Sequence, residues 1–224
     1  MEAGNKLAED QLREGLEVLG VGRESQQIEQ LFAFIDLLQH WNGAYNLVAD
    51  SRSHVIVGRH ILDSLSISAY LNDMTTVIDV GTGAGFPGIP LAIAHPDTYF
   101  ILLDANGKKT RFLFQVKTTL GLTNVGIENC RAEHYHYQRP IDLVVCRALA
   151  SLSVTVEKID ALLRAGAHLL AMKGRLSHKE IDALPTGYNI LATDRVWIPG
   201  DESERHVILL KKLRHIKASD CEGK

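Results

Sequence analysis

Three glycines at alternate positions, Gly81, Gly83 and Gly85, stand between two acids that could serve a nucleoside ligand. Asp79 lies just ahead of them, and Asp104 follows about twenty residues later, the spacing at which a carboxylate takes two ribose hydroxyls. Glycine has no Cβ, so a turn built from it reaches angles closed to other residues and lets a ligand approach the backbone. Gly83-x-Gly85-x-x-Gly88 also matches the dinucleotide fingerprint, so the glycines alone do not separate NAD from S-adenosylmethionine. Asp79 favours the second, because a carboxylate can hold its cationic amino end but would repel a pyrophosphate. No Lys or Arg lies between Arg59 and Lys108 to help a phosphate. The competing role for Asp79 is a buried cap on the turn's own amides.

Other polar residues stand where strands are expected to end. Arg147 closes the apolar run 141–146 and precedes the small residues Ala148 and Ala150; Lys173 closes another run, and Arg131-Ala132-Glu133 follows a third. Cys146 could attack a pyrimidine only as an activated thiolate, with adjacent Arg147 its one evident helper; Cys130 and Cys146 are expected to be core thiols.

The elements that must position these groups follow from periodicity. Leu7, Leu12, Leu16 and Leu19, then Ile28, Leu31, Ile35 and Leu38 (broadened by Phe32, Phe34 and Trp41), then Ile61, Leu65, Ile67 and Leu71 mark three helical stripes in the first seventy or so residues. From Thr76 onward strands alternate with helices. Strands are expected at 77–80, 99–103, 125–128, 141–146, 167–172, 188–198 and 206–212, and helices at 107–120 and 151–163, with Pro87 in the first turn of another. The last two strands have no long helix between them, as in an antiparallel hairpin. This is an α/β chain: a doubly wound, mostly parallel seven-stranded sheet with an N-terminal helical extension, its ligands at the carboxyl ends of the strands.

With 224 residues, 46% of them hydrophobic, the chain can build one sizeable core with an extension. No stretch approaches the roughly 18 apolar residues needed to cross a membrane, and the polar N-terminus lacks the apolar core of a secretory signal. A cytoplasmic protein is expected. Three scattered cysteines suggest neither disulfides nor a metal site. Net charge is −3, but residues 1–50 carry nine acids and three bases, whereas Arg205 to Ser219 carries five Lys or Arg and no acid. That basic end suits phosphates or a solvated tail equally well.

Several motifs occur in a fixed order: Trp41-Asn42-x-x-x-Asn46-Leu47, Arg59-His60-x-x-Asp63-Ser64, the run from Gly81 to Pro90, Leu103-Asp104 with Lys108-Lys109-x-Arg111-Phe112-Leu113, Arg147-Ala148, Lys173-Gly174 and Glu204-Arg205-His206. In this order, over about residues 28 to 212, the chain resembles the RsmG (GidB) family of 16S ribosomal RNA guanine-N7 methyltransferases. Val48 departs from it, standing where members commonly carry threonine, and Ala84 occupies a variable position.

The resemblance implies a class I, Rossmann-like methyltransferase fold over 73–217, after a helical extension at 1–72 and before a polar tail at 218–224. It implies S-adenosylmethionine as donor, a guanosine of 16S rRNA or the small ribosomal subunit as acceptor, and no metal; a monomer is expected. It carries cofactor contacts to Gly81, Phe86, Ala132, Glu133 and Arg147. The Gly81 turn, with Asp79, Gly83 and Gly85, would lie under the methionine part, Asp104 would take the ribose and Ala132-Glu133 would read the adenine. Arg147, Lys173 and Arg205 are expected to hold phosphates or the guanine O6 edge near the methyl group, with His60, Lys109, Arg111, Arg205 and His206 contacting RNA. Guanine N7 attacks through a bare lone pair, so no general base is needed. His60 is equally explained as a packed histidine. A small-molecule methyltransferase, an NAD-linked dehydrogenase and a non-catalytic ribosome-binding protein stay open on the residues alone.

Overall fold

The computed structural model describes residues 2–147, 150–175 and 177–213. Ala148 of the Arg147-Ala148 pair, the basic stretch beyond Leu213 and the tail at 218–224 with Cys221 lie outside the described residues. The chain opens with helices α1 (Glu2–Leu19) and α2 (Ser25–Tyr45). A continuous helical run follows: α3 (Ser53–Ile56), a π-helical stretch (Val57–Leu62) and α4 (Asp63–Leu65). The third stripe read from sequence therefore begins earlier than its apolar residues suggest, and a short 3-10 turn, Ser68–Leu71, ends it.

Strands and helices then alternate: β1 (Thr76–Val80), α5 (Gly88–Ala94), β2 (Tyr99–Leu103), α6 (Gly107–Leu120), β3 (Val125–Glu128), β4 (Leu143–Arg147), α7 (Leu152–Lys158), α8 (Asp160–Arg164), β5 (His168–Lys173), α9 (His178–Asp182), β6 (Tyr188–Arg195) and β7 (His206–Lys212). Among the described residues seven strands form one sheet in the order β3-β2-β1-β4-β5-β7-β6. The first five are parallel, and the β6–β7 hairpin adds antiparallel strands, with β7 against β5. Strand order reverses beside β1, where doubly wound sheets open their ligand crevice.

Side chains alternate across the central strands. Val77, Phe100, Leu102, Leu143 and Val145 face one cluster with α1, α2, α5 and α6, while Ile78, Ile101, Leu103 and Val144 face another with α7 and α8. The N-terminal helices thus share the sheet's own core: Leu12, Leu31 and Phe34 are each fully buried in the first cluster.

Several expected boundaries moved: β1 starts one residue earlier, β5 is displaced by one residue and β6 ends at Arg195 rather than 198. Strand β4 starts at Leu143 rather than 141, because the Asp142 carboxylate accepts the Thr75 and Thr76 amides at 2.8 and 2.9 Å and so ties the strand's entry to the loop before β1. The helix expected over 151–163 breaks at Ile159 (φ −106°, ψ 13°) into α7 and α8. Pro87 sits one residue ahead of α5 instead of inside its first turn. Helix α6 keeps its expected limits: the Asn106 side chain accepts from the Lys108 amide, and Gly121 closes it at φ 66°.

Candidate functional site

The turn after β1 is held from below and from the side. Asp79 is fully buried and accepts the Gly88 amide at 2.9 Å. Burial pushes this carboxyl up to about 6, against the pull of the Thr82 hydroxyl and the Gly88 amide. A Cβ on Gly88 would run into Leu102 and come within 2.8 Å of the Asp79 carboxylate. Asp104, at the end of β2, accepts the Gly83 amide at 2.9 Å through one oxygen and the Asn106 amide at 2.8 Å through the other. The two aspartates therefore build the turn, each in a different direction.

A cavity of about 400 Å³ opens over the carboxyl ends of β1, β2 and β4, within the size range of small-molecule sites. Gly81, Asp104, Ala132, Glu133 and Arg147 line it, as expected from sequence. Lys109 lines it as well, 3.8 Å from Asp104, although the family resemblance placed it on RNA; Arg131 lines it with the segment expected at that strand end, and Lys158 was not anticipated. Asp79, Gly83, Gly85 and Phe86 do not line this cavity. Gly85 is packed against Ile89 and Leu113, and Phe86 is 3% exposed, so these residues shape the cavity from behind.

A second cavity of about 400 Å³ lies between the helical run and β4, β5 and β7. His60, Lys173, Arg205 and His206 line it together with Asp63, and Arg147 lines both cavities. The π-helical stretch supplies Arg59 and His60 to this wall; such widened turns are frequent at functional sites. Asp63, 4% exposed, joins Arg147 at the end of β4 to Arg205 just before β7: its Oδ2 is 3.0 Å from Arg147 Nη1 and its Oδ1 3.1 Å from Arg205 Nε. Sequence reasoning quoted Asp63 in a motif without giving it a role. Its signal was an acid set among Ile61, Leu62 and Leu65, where an unpaired charge would be untenable.

Phe86 lines neither cavity; its buried ring packs behind two residues that do. The His60 ring stacks on it with centroids 4.9 Å apart, and the Arg147 guanidinium lies 5.2 Å from its centroid. Phe34 of α2 packs against the same ring at 5.3 Å, so the N-terminal extension supports the site directly. Arg147 Nη2 also lies 3.3 Å from His60 Nδ1. Burial, followed by the charges of Arg147 and Arg59, lowers the His60 pKa to about 4, so the ring is neutral at neutral pH.

Lys173 lines the second cavity, but its ammonium is already taken by Glu180 Oε1 at 2.6 Å and the Ala150 carbonyl at 2.7 Å. Lys173, expected to hold phosphates or the guanine O6 edge, here ties β5 to α9 and the loop before α7. His206 is held through Nδ1 at 3.0 Å from the Gly174 carbonyl oxygen. Arg111 is exposed on α6, outside both cavities. Burial pushes the Cys146 thiol up to about 12, which fits the core role expected of it and not that of a nucleophile.

The first cavity's chemistry fits an adenosyl sulfonium ligand. It offers Asp104 with lone pairs to spare beyond its two amides, and Glu133 and Arg147 with charges of opposite sign. Beneath the turn, outside the cavity lining, Asp79 adds a buried carboxyl beside the Thr82 hydroxyl.

Residues 27–208 match the family model described as GidB, rRNA small subunit methyltransferase G. The chain is 42% identical to the ribosomal RNA small subunit methyltransferase G of Nitrosococcus oceani over 96% of its own length and 99% of that protein's. To the protein of the same name from Pseudomonas aeruginosa it is 40% identical, over 95% and 99%. In fold it is similar to the solved structure of TrmK from M. capricolum in complex with S-adenosyl-homocysteine, with a TM-score of 0.50, 16% identity and 69% and 71% of the two chains covered. Since the family pattern runs through both cavities and the relatives match almost end to end, the chain belongs to the GidB family, rRNA small subunit methyltransferase G.

Proposed function

We propose that the protein transfers a methyl group from S-adenosylmethionine to N7 of a guanosine in 16S rRNA. The observation that carries this reading is the sharing of Arg147 by two cavities, one suited to a nucleoside donor and one walled by cations. A group-transfer enzyme must bring two ligands to one point, and Arg147 stands there.

S-adenosylmethionine in the first cavity would supply an electrophilic methyl group on a sulfonium. Asp104 binds the ribose, the Ala132-Glu133 segment reads the adenine and the Gly81 turn admits the methionine part, with Lys109 at the rim. In the second cavity the target guanine lies beside His60, while Arg147 and Arg205, both paired with Asp63, meet its O6 edge or the flanking phosphates. Guanine N7 needs no deprotonation to attack, so these residues work by placement and no proton acceptor is required. Lys108 and Arg111, on the exposed face of a helix that contains no acid, guide the RNA backbone. The acceptor is 16S rRNA within the small subunit, unpaired or splayed at the target, and the enzyme acts as a cytoplasmic monomer.

The test is incubation with labelled S-adenosylmethionine and unmodified small ribosomal subunits, followed by mapping of the label by base-specific cleavage. Label at N7 of one guanosine is the expected result. Label on N6 of adenine or C5 of cytosine would overturn it.

A further inference from the structure

His60 is held by two neighbours and faces a cavity. Its ring stacks on Phe86, it lines the second cavity, and its Nδ1 is 3.3 Å from Arg147 Nη2. A guanidinium has donors only, so Nδ1 must be the acceptor and the ring proton of the neutral imidazole resides on Nε2. That Nε2–H has no hydrogen-bond partner among the described residues and is not among the sealed polar atoms. The contact with Arg147 thus converts a side chain of ambiguous tautomer into a fixed donor on the cavity wall.

We infer that His60 is a specificity-determining residue, donating its Nε2–H to O6 of the target guanine and so rejecting bases that present an amino group there. This rests on the guanine-N7 reading above. On the edge of the base that carries N7, guanine offers two acceptors, N7 and O6, whereas adenine offers N7 and an N6 amino donor. N7 must stay bare to react, so a discriminating donor belongs on O6. An N–H facing the adenine amino group leaves two donors opposed, the arrangement that costs a site built for hydrogen bonding most.

Two replacements separate this role from simple support of Arg147. In His60→Asn the side-chain oxygen can still accept from Arg147, but the Nε2 donor is lost. In His60→Gln the amide nitrogen reaches the position of Nε2 and can donate. Single-turnover methylation is followed at saturating cofactor on ligated 16S RNA, assembled into small subunits, with guanosine, inosine or 2-aminopurine at the guanosine that the wild type labels. Inosine keeps O6, and 2-aminopurine lacks it. The wild type and His60→Gln should prefer inosine to 2-aminopurine about tenfold more strongly than His60→Asn does, the size of one well-placed hydrogen bond. His60→Asn should lose about tenfold on guanosine and inosine with no further loss on 2-aminopurine.

Equal rates for His60→Asn and the wild type on guanosine would overturn the inference, as would losses in both variants that are the same on all three bases. Melting temperature and S-adenosylhomocysteine affinity are measured beside the rates, so misfolding is seen separately. If the wild type places no label on guanine, the guanine reading itself falls; normal guanine labelling with an unchanged His60→Asn removes only His60.

Discussion

Asp63 decides whether the two arginines of the second cavity can share one wall. Its carboxylate takes one guanidinium on each oxygen, while Arg59 adds a third cation to the same cavity. An asparagine there keeps the shape and one acceptor but leaves Arg147 and Arg205 facing each other without an intervening charge. Removing one member of a buried ion pair costs several kcal/mol. The arginine side chains are 22% and 27% exposed, so water screens part of that loss. Asp63→Asn should therefore lower stability by about 2 kcal/mol in urea unfolding. Because both guanidiniums lose their orientation, KM for the RNA should also rise several-fold. A destabilised variant with unchanged KM would make Asp63 a brace for the fold and nothing more.

At the scale of elements, the glycine turn shows why its residues are not interchangeable. Gly85 has φ 95°, and a Cβ there would lie 2.7 Å from Ile89 Cγ1 and 3.0 Å from Leu113 Cδ2. Gly121, closing α6 at φ 66°, would place a Cβ in open space. Gly85→Ala should thus cost about 3 kcal/mol through combined strain and overpacking, and Gly121→Ala about 1 kcal/mol through backbone conformation alone; urea midpoints compare them. The turn, its flanking strands and the acid after β2 were legible in the sequence, because short β-branched runs and alternate glycines are local signals. So were Gly81, Asp104, Ala132, Glu133 and Arg147 as one group, because strand ends in a parallel sheet converge. Asp63 lacked an assigned role because its partners are 84 and 142 residues away. The π-helical turn at Val57–Leu62 has an apolar pattern that ordinary helical spacing describes equally well. The partner of Lys173 was not legible because Glu180 lies on a five-residue helix too short to announce itself.

For the molecule as a whole, two groups, one under the glycine turn and one stacked on Phe86, work against each other as pH changes. Asp79 has its pKa raised to about 6 by burial, so it contributes stability that is fully present below its unfolded value near 3.8 and lost as pH rises through 6. His60, lowered to about 4 mainly by burial, contributes stability that is present above 6.5 and lost as pH falls through 4. The two windows nearly coincide and their signs are opposite, so the wild type should show little net dependence from this pair between about pH 4 and 6.5. Single replacements should uncover each half. Asp79→Asn, which keeps an oxygen for the Gly88 amide, should gain on the wild type by about 3 kcal/mol as pH rises across the window, from a two-unit shift at a fully buried site. His60→Gln should lose ground to the wild type over the same range. Urea unfolding at a series of pH values measures both; parallel curves for Asp79→Asn and the wild type would show that the carboxyl does not titrate there. Cofactor binding adds an independent check on the charge. If ionised Asp79 attracts the amino end of S-adenosylmethionine, wild-type affinity must weaken as pH drops below about 6, while that of Asp79→Asn stays level. Calorimetric titration across that range distinguishes an aspartate that serves the ligand from one that only pins Gly88, since only the former couples its proton to binding.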